Sequence, residues 1–244
     1  MEEIIEKLNT LEISPIKNNI VDDTQIVKEI LDEIIDRIVG PIKNDIKPTL
    51  EEFLEEIYKF SKEKVTTTKP GSLKFLLFGP EKSRQSVSIK FGKLGEVLSK
   101  MLINNSKKKL LDCGILKLTL CNTKKDFDLI WIDEEEKIVY YRECKGNMEL
   151  DTEKLPATID KVIQLKEELE IKYANYKINS GIFNWSIYNR DDAVGGLMQI
   201  KKCEDCHVKI DHFEDFINLL NYDWNKEDFY SYFRNIGKII DNNI

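Results

Sequence analysis

Nowhere does the sequence hold the roughly 20 consecutive apolar residues that a membrane-spanning helix needs, so no membrane partner is expected. The opening MEEIIEKLNT is acidic and amphipathic, whereas a signal peptide starts basic and then turns apolar. Cysteines are few and odd in number, five in all. Without a signal peptide they point to free thiols in a reducing, cytoplasmic setting. Positive charge is not in excess: 37 Lys and Arg against 44 Asp and Glu leave a net charge of −7. That balance argues against a strongly basic nucleic-acid binder, although it is compatible with a basic lining on one face. Internal repeats and low-complexity tracts are also missing. Gly79 to Ser83 begins like a phosphate-binding loop, but the second glycine of Gly-x4-Gly-Lys-Ser/Thr is absent, so no nucleotide cofactor is expected.

What is present is enough to fold. The chain has 244 residues, 41% of them hydrophobic and 33% charged, which suits one core with a helical annex. Residues 1–66 read as an N-terminal helical region, part of the same domain or a dimerisation annex. One helix is expected from Asp23 or Thr24 to Gly40 and a second from Pro48-Thr49, burying Leu50, Phe53, Leu54, Ile57 and Phe60. Lys64 to Gly71 reads as a linker. Residues 72–244 then change texture. Strands are expected over Ile115–Cys121, Phe127–Ile132, Ile138–Cys144, Ile178–Tyr188 and Val208–Ile210. Helices are expected over Lys93–Asn104, Asp151–Tyr173 (capped by Asp151 or Thr152), His212–Leu220 and Lys226–Ile240. This order implies an α/β (α+β mixed) fold, a central mixed β-sheet flanked by helices.

The chemistry concentrates in one hairpin. Asp128 opens the apolar run Leu129-Ile130-Trp131-Ile132, the charged turn Asp133–Lys137 follows, and Ile138 to Tyr141 lead to Arg142-Glu143-Cys144-Lys145. In an antiparallel pair the two open ends are neighbours, so Asp128 and Glu143 are expected to face each other. Glu143 and Lys145 share a face by the two-residue repeat, while Cys144 and Arg142 point the other way. Arg142 is accordingly expected to be dispensable for the chemistry. Two carboxylates suit Mg²⁺, with Mn²⁺ as a substitute, and the ammonium suits a phosphate beside them.

Asp128, then fourteen residues, then Glu143-Cys144-Lys145 resembles the PD-(D/E)xK nuclease superfamily, with Phe127 where the motif has proline. The resemblance implies a restriction-endonuclease-like fold and Mg²⁺-dependent hydrolysis of double-stranded DNA, with Asp128, Glu143 and Lys145 catalytic and the first two holding the metal. The extra helices favour a type II restriction endonuclease. A repair or junction-resolving nuclease is the alternative within the superfamily, and a non-catalytic interaction protein the alternative outside it. Cutting both strands of a duplex points to a homodimer on DNA.

Flanking segments add candidates. The resemblance implies that Glu96 joins the metal cluster; read by itself it is equally an exposed helical glutamate. Lys82, Ser83, Arg84, Ser86 and Ser88 lie in a polar stretch that reads either as a DNA-contacting loop or as a solvated one. Asn147 and Lys154, just after the motif, are further candidates for phosphate or metal-shell contact. Lys107-Lys108-Lys109 and Lys124-Lys125 are basic clusters suited to backbone contacts. Cys203, Cys206, His207 and His212 gather four potential zinc ligands, but the spacing is not that of a zinc finger, so structural zinc is not expected.

Overall fold

The structure is a computed structural model that describes residues 46–62, 84–120, 122–146, 148 and 153–243. The expected helix from Asp23 to Gly40 and the linker from Lys64 to Gly71 lie outside the described residues, as do Lys82, Ser83 and Asn147. Six described helices are α1 (Lys47–Lys62), α2 (Arg84–Asn104), α3 (Leu155–Lys172), α4 (Leu197–Asp205), α5 (Phe213–Leu219) and α6 (Lys226–Asn243). The strands are β1 (Lys109–Leu110), β2 (Gly114–Lys117), β3 (Lys124–Phe127), β4 (Leu129–Asp133), β5 (Ile138–Lys145), β6 (Lys177–Asn184) and β7 (Lys209–His212).

Five strands form a mixed sheet in the order β1-β4-β5-β6-β7. The pairs β1–β4 and β4–β5 are antiparallel, β5–β6 and β6–β7 parallel. Both faces are covered, and alternation sorts the side chains between them. Leu129, Trp131, Tyr140 and Phe183 enter one core with residues of α1, α2, α5 and α6. Ile130, Ile132, Val139, Tyr141 and Ile182 enter the other with residues of α3 and α4. This explains why β4 is buried at all five positions.

The helix α1 belongs to the first core. Leu50, Phe53, Leu54 and Ile57 are buried there as the periodicity predicts. The Tyr232 hydroxyl of α6 donates to Leu50 O (3.1 Å), and Asn105 Nδ2 to Thr49 Oγ1 (2.9 Å).

Several boundaries differ from the sequence reading. The helix expected from Lys93 starts at Arg84, so Arg84, Ser86 and Ser88 stand in helical turns of α2 and not in a loop. No proline or glycine interrupts the chain between Pro80 and Gly92, and polar composition alone does not break a helix. The expected strand Ile115–Cys121 stops at Lys117 because Leu118 N donates to Thr123 O (2.8 Å), closing a turn in which Asn122 has φ 51°. The expected strand Phe127–Ile132 is split at Asp128: β3 pairs with β2 in a separate two-stranded sheet, and β4 pairs in the main one. The change of partner resets the alternation, so that Phe127 and Leu129 enter different cores. Pro156 sits in the first turn of α3 and Lys154 at its N-cap, with no side-chain cap. The expected capping residues Asp151 and Thr152 lie outside the described residues. The fourth long strand ends at Asn184, four residues early, in a turn. Helix α4 has no counterpart in the sequence reading. Only Ile200 and Cys203 are buried on it, while Leu197 and Met198 are exposed, so its apolar residues mark no single face.

Candidate active site

The β4–β5 register pairs Leu129 with Arg142 and Ile130 with Tyr141. Its continuation by one step sets Asp128 against Glu143. The Asp128 carboxylate accepts from Cys144 N at 2.8 Å, which ties the bend to the end of β5. Glu143 is buried on the α3 face of the sheet, where it accepts from the Tyr141 hydroxyl at 2.9 Å. Lys145 Nζ lies 3.4 Å from Glu143 Oε1, and its side chain is 23% exposed, so it can reach outward. Cys144 points the opposite way and packs against the first core, its thiol pushed well up in pKa by burial. The three motif residues are therefore together.

A fourth residue joins them. Lys161 of α3 is ion-paired with Glu143 and stands 4.0 Å from Asp128 Oδ1. The sequence reading does not single it out. Ionic groups recur throughout α3, and nothing local distinguishes Lys161 from its exposed neighbours.

The electrostatics of the pair are opposed. Burial raises the Asp128 carboxyl and Glu143 adds to it. Lys161 and the Cys144 amide pull it back, with the result pushed up to about 7. Glu96, on α2, is half-buried and raised by burial, with Asp126 and Glu143 contributing at longer range. Lys100 Nζ lies 3.8 Å from its carboxylate and pulls the other way. Glu96 thus lies within the field of the site. No group of three or more His, Cys, Asp or Glu side chains close enough to hold a metal occurs among the described residues.

Whether Asp128 and Glu143 suit a divalent cation can be judged from their energetics. Two carboxylates that face one lysine at the end of a hairpin, one of them destabilised in its charged form by burial and by the other, favour added positive charge. With two protein oxygens supplied, a Mg²⁺ ion would take most of its shell from water and phosphate, as that ion commonly does. The residues fit.

Register extends the site across the sheet. Lys145 is paired with Asn184, and Asn184 with His212, a polar row at the C-terminal ends of three parallel strands. Both partners are buried, and among the described residues the Asn184 amide and His212 Nε2 have no hydrogen-bond partner. Asn184 follows the apolar pair Ile182-Phe183 at the end of β6, on the face that alternation shares with buried Ile182, so a polar residue at a core-facing position is the signal present in the sequence.

Arg142 does point away from Glu143, but it is not a neutral bystander. It is fully buried, its Nη2 is 2.6 Å from Asp211 Oδ2, and it donates to Asn179 O (2.7 Å) and Asn179 Oδ1 (2.9 Å). Its removal would leave the buried Asp211 carboxylate with only the half-exposed Lys209 ammonium, 2.9 Å from Oδ1, as an ion-pair partner, a structural cost that disqualifies Arg142 as a control. Of the Lys107–Lys109 cluster, Lys108 is ion-paired with the buried Asp133 at the β4–β5 turn. Of the four potential zinc ligands, Cys203 is buried in the second core and Cys206 and His207 are exposed at the end of α4. His212 is buried at the end of β7.

No family model, no curated protein and no solved structure matches the chain.

Proposed function

We propose that the chain is a Mg²⁺-dependent endonuclease acting on double-stranded DNA, of the PD-(D/E)xK type and with type II restriction activity. The observation that carries the reading is the convergence of Asp128, Glu143 and Lys145 at one hairpin end, with Asp128 raised in pKa beside Glu143. Asp128 and Glu143 would hold the metal. A bound Mg²⁺ supplies charge neutralisation at the scissile phosphate and makes its water more acidic; Mn²⁺ can substitute.

The protein's own groups do the rest. Lys145 orients the attacking water and stabilises the charge that develops on the phosphate. The water oxygen bonds to phosphorus as its proton passes to solvent, and the ester P–O bond breaks with its electron pair on the leaving oxygen, which takes a proton from solvent. Lys161 offsets the repulsion between the two carboxylates and so holds them together. Tyr141 fixes Glu143 from below.

The test is plasmid cleavage. Wild-type protein with Mg²⁺ should give discrete fragments, and chelator should stop it. Lys145→Ala should lower the rate by about 10²–10⁴-fold while retaining DNA binding in Ca²⁺. Lys137→Ala is the control, because Lys137 is exposed at the far end of the hairpin and pairs with Glu134. Full cleavage in excess EDTA, or by Lys145→Ala at the wild-type rate, would overturn the reading.

A further inference from the structure

Strands β2 and β3 form a hairpin outside the main sheet, and β3 runs directly into Asp128. Their register pairs Lys117 with Lys124, Leu116 with Lys125, Ile115 with Asp126 and Gly114 with Phe127. Alternation places Lys117, Lys124, Ile115 and Asp126 on one face, and all four are exposed. The other face is turned inward: Phe127 and Leu116 pack with the second core.

The outer face is electrostatically incomplete. Two lysines directly opposite on one face of an antiparallel pair repel each other. Among the described residues neither has a carboxylate within ion-pairing distance. Asp126 shares the face but lies at the end nearer the site, where its charge is felt by Glu96. The lysines lie at the distal end.

The arm is also held in place. The Glu168 carboxylate of α3 accepts from Thr119 N (2.8 Å), Leu120 N (3.1 Å) and the Thr119 hydroxyl, so the hairpin turn is clamped to that helix. Lys161 and Glu168 are seven residues apart, two helical turns, on the same face of α3. One helix therefore positions both the carboxylate pair and the hairpin.

We propose that the outer face of β2–β3 docks the phosphate backbone of duplex DNA, with Lys117 and Lys124 each taking a phosphate a few base pairs away from the cleaved one. The proposal rests on the nuclease reading for the identity of the polyanion. Lys124 stands four residues from Asp128, or roughly 13 Å of extended chain. That corresponds to about four base-pair steps of roughly 3.4 Å. A like-charged pair across a rigid ladder is then relieved by an anionic ligand.

The test measures binding of a fluorescein-labelled duplex by anisotropy in Ca²⁺ over a NaCl series. The Lys117→Gln/Lys124→Gln variant should bind about tenfold more weakly at low salt. Its slope of log K against log salt should be shallower by roughly 1.8, about 0.9 for each phosphate the variant no longer neutralises. Its melting temperature should equal or exceed the wild-type value, because the repulsion is gone and both side chains are exposed. An unchanged affinity and slope in a folded variant would overturn the hairpin proposal and leave the nuclease reading standing. Wild-type protein that binds with the expected slopes but never cuts in Mg²⁺ would overturn the nuclease reading and support the hairpin. Wild-type protein that binds no duplex would overturn both.

Discussion

At Asp128 burial and a neighbouring carboxylate work against ionisation, and Lys161 and one backbone amide work for it. The former win, and the carboxyl is pushed up to about 7, against about 3.9 in an unfolded chain. Between those two values the native state binds more protons than the unfolded one, so stability falls as pH rises from about 4 to about 7, and is level above that. Asp128→Asn removes the penalty. The variant should melt at a higher temperature than wild type at pH 8 without metal, and at nearly the same temperature at pH 4. Mg²⁺ should raise the wild-type melting temperature at pH 8 and leave that of Asp128→Asn almost unmoved. Thermal melts across pH, with and without metal, check this; a wild type less stable than the variant at pH 4 and equal to it at pH 8 would contradict the sign.

Among the elements, α3 does two jobs, and the second can be removed alone. Burial would raise the Glu168 carboxyl, but donation from Thr119 and Leu120 holds it below its ordinary range. These are hydrogen bonds to a charged acceptor at a partly solvated edge. Their loss in Glu168→Ala should cost about 1–2 kcal/mol. The amides of Thr119 and Leu120 should then lose hydrogen-exchange protection, while those of β5 and β6 keep theirs. Uniform loss across the sheet would mean that Glu168 supports the whole domain and not the hairpin. Close packing limits a different element: a Cβ on Gly181 would lie 2.5 Å from Lys209 O, so β6 and β7 approach here as no larger residue permits.

For the molecule as a whole, net charge and the proposed partner pull apart. A chain at −7 that binds a polyanion must do so through a local surface, and the exposed lysines at the distal end of β2–β3 are the surface proposed for it. Each chain carries one Asp128–Glu143 pair, whereas a duplex has two strands to cut. A C2 homodimer on DNA supplies two sites with the symmetry of a palindrome. Light scattering in Ca²⁺ should give the mass of two chains on one duplex. A one-to-one complex would reject the dimer and leave the single-site chemistry untouched.

Short-range pattern was enough for the hairpin. Alternation and the symmetric spacing about the Asp133–Lys137 turn brought Asp128 opposite Glu143 and separated Lys145 from Cys144, because strand geometry repeats every two residues whatever surrounds it. It was enough, too, for the mixed sheet between helices and for the buried face of α1. Lys161 was a different matter. Its place over Asp128 and Glu143 depends on how α3 packs across β5 and β6, a long-range outcome that leaves no mark on the residues around it. For Arg142 the strand pattern supplies direction alone; its burial against Asp211, 69 residues away, follows from the arrival of β7 beside β6. The split at Asp128 likewise arises because β3 finds its partner in β2 and β4 in β5, a choice of neighbours that only the folded chain makes.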